Sequence, residues 1–145
     1  MFSGCTSLTS APEICATTLP SGYQFHGMFD QCKSMVRGPS KLLAPTVTNY
    51  AYNFMFGGCS SLTSAPELPA TTVNSYGYNG MFYDCKSLSS PPKMSATTIQ
   101  NHGCRLMFGN CTSLSASPKL LAKIINTNSY ESMFNGCTHL SVVDT

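Results

Sequence analysis

The chain has 145 residues, 42% hydrophobic and only 10% charged, with a formal net charge of +2. That is length for one domain rather than two, and the charge fraction lies well below the ~25% usual for soluble domains. No Lys/Arg run offers the footprint of a nucleic-acid binder, and no stretch approaches the ~18 apolar residues of a membrane span.

The first residues, Met1-Phe2-Ser3-Gly4-Cys5, carry neither the basic nor the apolar region of a signal peptide. They open a repeat instead. Met-Phe-x-x-Cys recurs with Met at 1, 28, 55, 81, 107 and 133, at spacings of 27, 27, 26, 26 and 26. Fixed self-similarity at this period marks a solenoid. We therefore expect residues 1–145 to form one repeat domain of about five turns, the last repeat being partial.

Along each turn the order is regular. Three residues after the Cys stands Leu8, Met35, Leu62, Leu88, Leu114 or Leu140. Leu62-x-x-Ala65 predicts a short strand, parallel to its equivalents because the path repeats. The following Pro12, Pro39, Pro66, Pro92 and Pro118 end it, since proline cannot donate to a ladder. An aliphatic residue comes next: Leu19, Val47, Val73, Ile99 or Ile125. Then the aromatic-rich segment Asn74–Phe82, with Tyr78, Met81 and Phe82 at i, i+3 and i+4, predicts a short helix. Of the second residues after each Phe (Gly4, Gln31, Gly58, Asp84, Asn110, Gly136), five suit a left-handed helix-ending position. The fold class expected is an α/β repeat solenoid with one short parallel strand and one short helix per turn. Its Phe, Leu and Cys series should stack in separate columns, because one turn cannot cover its own apolar face.

The phrases "FSGCTSLTSAPE" at Phe2–Glu13 and "FGGCSSLTSAPELPATT" at Phe56–Thr72 carry a resemblance. The whole chain resembles the leucine-rich repeats of BspA-like bacterial surface proteins. Departures are Met35-Val36-Arg37-Gly38 in the second turn, and His102 and Asn128 where earlier turns have Tyr. The resemblance implies a leucine-rich-repeat solenoid. It also implies an extracellular or cell-surface, non-enzymatic role in binding or adhesion, the chain being a fragment or processed form.

Six cysteines at one phase are a column of free, buried, small hydrophobes rather than nucleophiles, which need a singular environment. Cys15 and Cys104 lie out of phase and more than three turns apart, so they should not pair. His102-x-Cys104 supplies two ligands and does not close a zinc site. His26, Asp30 and Cys32 fall in one turn, but Cys32 belongs to the column. Asn110-Cys111-Thr112 matches a glycosylation sequon at a position expected to be packed. Thr17/Thr18, Thr71/Thr72 and Thr97/Thr98 read as turn formers. What varies is the residue after the proline: Glu13, Ser40, Glu67, Lys93, Lys119. Glu13, Glu67, Lys93 and Lys119 form the candidate recognition row, for an extracellular protein or glycan. No catalytic residue, metal or cofactor is expected. The alternative is a structural subunit assembling end to end through its uncapped ends.

Overall fold

Each repeat makes one coil, and equivalent residues of successive coils lie side by side. The computed structural model describes residues 1–143. Four two-residue strands, β1 (Thr46–Val47), β2 (Thr72–Val73), β3 (Thr98–Ile99) and β4 (Ile124–Ile125), form one sheet in chain order. All pairs are parallel, with Thr46 opposite Thr72, Thr72 opposite Thr98, and Thr98 opposite Ile124. The strand is thus one side of the coil, repeated every 26 residues.

Its place differs from the expected one. Around Leu62–Ala65 only isolated parallel bridges form, Ser10 to Arg37 and Arg37 to Ser64. Pro66 interrupts the ladder by lacking an N–H, whereas Thr72–Val73 offers two β-branched residues with free donors.

The expected helix is also absent: no α-helix occurs among the described residues. Residues 76–85 form a ribbon of consecutive turns. Every second N–H closes a local turn: Gly77 to the Asn74 carbonyl, Asn79 to Tyr76, Met81 to Tyr78, Tyr83 to Gly80, Cys85 to Phe82. The alternate N–H groups of Tyr76, Tyr78, Gly80, Phe82 and Asp84 donate to the next coil, at Asn101, Gly103, Arg105, Met107 and Gly109. An α-helix spends its N–H groups within itself. This ribbon diverts half of them sideways, and so ties coil to coil.

A four-residue rhythm of positive φ makes the ribbon possible, at Tyr76 (57°), Gly80 (56°) and Asp84 (58°) and again at their equivalents in neighbouring coils. A positive φ at the third residue of alternate turns is the type II signature. The five positions read as left-handed adopt that conformation, and Gln31, the sixth, does so too with φ 59°. They close the last turn of the ribbon rather than a helix. At Gly80 the need for glycine is double, because an added Cβ would also stand 2.5 Å from the Phe54 ring.

The core lies between ribbon and strands. Phe2, Phe29, Phe56, Phe82, Phe108 and Phe134 stack in file, with ring centroids 5.5–5.7 Å apart and planes within 12°. Beside them run a second column, Phe25–Tyr52–Tyr78, and the buried Met35, Leu62, Leu88 and Leu114.

The first coil is less firmly laced than the others. Thr71, Thr97 and Lys123 each donate an N–H to the preceding coil, at Pro45, Thr71 and Thr97. In the second coil that position is Pro45, which has no N–H to give to Thr17. Pro45→Thr restores the donor. We expect about 1 kcal/mol of added stability, partly offset by a looser unfolded chain. Amide exchange should slow in residues 16–19 relative to the native chain; unchanged exchange there would show that the missing donor is not what loosens this coil.

Candidate functional site

Five of the thiols share one geometry. Sγ–H of Cys32, Cys59, Cys85, Cys111 and Cys137 donates to the carbonyls of Phe2, Phe29, Phe56, Phe82 and Phe108, in the preceding coil, at 3.0–3.2 Å. The same carbonyls accept the N–H of the cysteine in their own coil, for example Cys59 N to Phe56 at 3.1 Å. The thiol therefore fills the second lone pair of a buried acceptor. Burial pushes the Cys59 thiol up to about 12 from 9.0, and Cys85 and Cys111 well above it. Thiolate is the nucleophilic form, so these groups are held in the unreactive one. Two members depart from the expected burial. Cys5 is exposed, and Cys137 is only half-buried.

The remaining sequence candidates separate in space. All eight cysteines are free, Cys15 and Cys104 included. Cys104 is buried in the column of Tyr52 and Tyr78, where burial raises its thiol to about 12. His102 stacks on Tyr76 at 4.7 Å and faces the Glu131 carboxylate at 3.4 Å. Cys32 is committed to Phe2, while Nδ1 of His26 meets the Asn53 amide at 3.1 Å. The His26, Asp30 and Cys32 trio is therefore not assembled as a catalytic relay. Asn110 gives its amide to the Tyr83 hydroxyl at 3.1 Å, in a left-handed backbone. Among the threonines, Thr71 and Thr97 turn their hydroxyls back onto Pro45 and Thr71 carbonyls. Among the described residues no group of three or more His, Cys, Asp or Glu is placed to hold a metal ion.

Glu13, Glu67, Lys93 and Lys119 are all exposed. Glu13 is fixed: its carboxylate accepts the Ser40 N–H at 3.0 and 3.1 Å and the Ser40 hydroxyl at 2.8 Å. Glu67 pairs with Lys41 at 3.8 Å. Bridges from Arg37 to Ser64 and from Lys41 to Glu67 differ in offset by one residue, so the extra residue of the second coil lies within Gly38–Ser40.

That extra residue sits at the rim of an open cleft of about 370 Å³, lined by Ser10, Glu13, Arg37, Ser40 and Ser64 with Ala11, Gly38, Pro39 and Ala65. Arg37 occupies a column that otherwise reads Ser10, Ser64, Ser90, Ala116 and Val142. Its backbone is held on both sides, Ala11 N–H bonding its carbonyl and parallel bridges running to Ser10 and Ser64. Sequence reasoning passed over Arg37 as a bare departure from the repeat. The signal was there: a lone charge in a column of uncharged residues. A polar ladder was also missed. Asn79 donates to Asn53 at 2.8 Å, Asn53 meets His26, and one coil further on Arg105 bonds Glu131 at 3.0 Å. These residues share one phase that looked merely variable.

No protein-family model matches the chain, and no curated protein does. Solved structures do. A T. pallidum leucine-rich repeat protein is 20% identical, with a TM-score of 0.49 over 92% of this chain and 68% of its own. A leucine rich cell surface protein from Faecalibacterium prausnitzii is 14% identical, with a TM-score of 0.26. A leucine-rich repeat protein from Bacteroides ovatus is 28% identical over 97% of this chain, with a TM-score of 0.57; the chain spans 32% of that protein's length. With its parallel strands in register, the chain is similar to that protein throughout and folds as a repeat solenoid of the leucine-rich-repeat type.

Proposed function

We propose that this chain is an extracellular or cell-surface, non-catalytic repeat module that binds a protein or glycan and serves adhesion. The observation that carries the reading is the contrast between an invariant scaffold and a variable charged row. Thiols, rings and backbone groups are spent on holding coils together. Glu13, Glu67, Lys93 and Lys119 stand exposed on their coils instead. Such a row supplies complementarity and specificity to a partner surface. The low charge content and the phrase-level likeness to BspA-like surface proteins support an extracellular place, and the likeness to a Bacteroides ovatus leucine-rich repeat protein supports a binding module.

A protein and glycan array tests it. Combined Glu13→Lys, Glu67→Lys, Lys93→Glu and Lys119→Glu should weaken the authentic hits at least about tenfold, as expected when several interfacial charges are reversed. Unchanged binding removes the row from the site.

End-to-end association is the second reading. At β4, Ile124 and Ile125 are 57% and 53% exposed, whereas Val73 and Ile99 at the second strand position of inner coils are fully buried. A further coil, from a second copy, would cover them. A mass that stays monomeric into the high micromolar range eliminates this reading.

A further inference from the structure

We infer that the cleft at Arg37 is a subsite for a single acidic sugar residue, one bearing a ring carboxylate; this deepens the binding reading above and rests on it. Three features converge there. The repeat pattern breaks at Met35-Val36-Arg37-Gly38, the extra residue falls within Gly38–Ser40, and the cleft of about 370 Å³ opens between them. That volume is near the lower end of the ~300–1,000 Å³ of small-ligand pockets.

Arg37 has no carboxylate or hydrogen-bond partner for its side chain among the described residues. Its guanidinium is a planar fork with five donors, matched to a carboxylate in bidentate fashion. Glu13 sets the opposite requirement. Ser40 already gives two hydrogen bonds to its Oε2 and one to Oε1. An ionised carboxylate offers about four acceptor sites, so Oε1 keeps room for one more donor. A ligand with its anion on Arg37 and a hydroxyl on Glu13 satisfies both; a ligand with two anions does not. Ser10 and Ser64 add hydroxyls that donate and accept, as ring hydroxyls require, and the Ser40 hydroxyl, its hydrogen given to Glu13, accepts. The apolar lining is only Ala11, Pro39 and Ala65 beside Gly38, with no aromatic or long aliphatic wall to hold a peptide side chain. Chemistry therefore favours a carboxylated saccharide over a peptide C-terminus.

Backbone amide shifts of the full chain, titrated with glucuronic acid, glucose, acetate and a short peptide with a free C-terminus, test this. Glucuronic acid should move the amides of Arg37, Gly38, Ser40 and Ser64 with millimolar affinity, at least about tenfold tighter than glucose or acetate. Arg37→Ser installs the residue already present in the first and third coils, so the fold should persist. It should weaken glucuronic acid about tenfold, Arg37→Lys should recover only part, and Glu13→Gln should cost about threefold. Equal binding of acetate, tighter binding of the peptide, or an unaffected Arg37→Ser variant each overturns the assignment. If glucuronic acid fails while array hits still depend on the charged row, the cleft assignment falls and the binding module stands. If no array hit appears while glucuronic acid binds through Arg37, the reverse holds.

Discussion

Phe82→Ala should cost about 3–5 kcal/mol, the usual range for removing a buried phenyl group, and Phe2→Ala less than half of that. Phe82 is fully buried, with Phe56 and Phe108 on its two faces, each at 5.6 Å. Phe2 is only partly buried and has one ring neighbour, Phe29. Truncation at Phe82 therefore removes one ring's buried area and two stacking contacts, worth about 0.5–1.5 kcal/mol each beyond burial. Most small domains have only about 5–15 kcal/mol in total. Position adds a second effect. In a solenoid each coil touches its neighbours alone, so a central gap uncouples the two halves. Urea denaturation followed by circular dichroism should show a lower midpoint and a shallower slope for Phe82→Ala, and the wild-type slope for Phe2→Ala. Equal losses at both positions would mean that the column does not couple the coils.

The Phe column was legible because a repeat converts one buried position into six at the same phase, and apolar side chains at one phase have nowhere else to go. The ribbon was not. Tyr78, Met81 and Phe82 satisfy i, i+3 and i+4 spacing equally well on a helix and on successive turns four residues apart. What separates the two is where the N–H groups go, and in an isolated coil both choices look alike. Only stacking makes the lateral bond from Tyr78 to Gly103 available. Gly27 and Gly80, one turn of the ribbon before Gln31 and Asp84, were the overlooked hint that left-handed residues recur every four positions. Phe54 and Leu106 hid that rhythm, since they hold positive φ (48° and 53°) against their intrinsic preference. The slot after each proline was legible as one that faces outward, and Glu13, Glu67, Lys93 and Lys119 are exposed there. The Arg37 cleft was not, because its depth comes from a one-residue mismatch between coils that spacing alone leaves unlocated.

Those lateral ties also determine how the protein should respond to alkali. Cys59, Cys85, Cys104 and Cys111 are fully buried, and desolvation raises each thiol above its ordinary 9.0, to about 12 for Cys59 and Cys104. An acid whose folded pKa is raised keeps its proton in the native state while the unfolded chain releases its own. The unfolded state then binds fewer protons, and stability falls as pH rises. The contribution is complete below pH 9 and is lost between 9 and about 12 for Cys59 and Cys104. Each thiol costs at most about 1.4 kcal/mol per pH unit in that window, and four together at most about 5.5 kcal/mol per pH unit. From pH 10 upward Tyr52, raised by burial from 10.0 to about 12, adds to the slope. Against the about 5–15 kcal/mol of an ordinary domain such a slope is large, and we expect the urea midpoint to fall steeply above pH 9. Cys85→Ala should lower stability at pH 7 by about 1–2 kcal/mol, since it leaves the Phe56 carbonyl with one fewer donor. It should also make the alkaline decline about a quarter shallower. Urea midpoints measured from pH 7 to 11 for both proteins give the two slopes. If the native chain keeps its midpoint to pH 11, or if the slopes coincide, water reaches the thiols and the coils are not sealed around them.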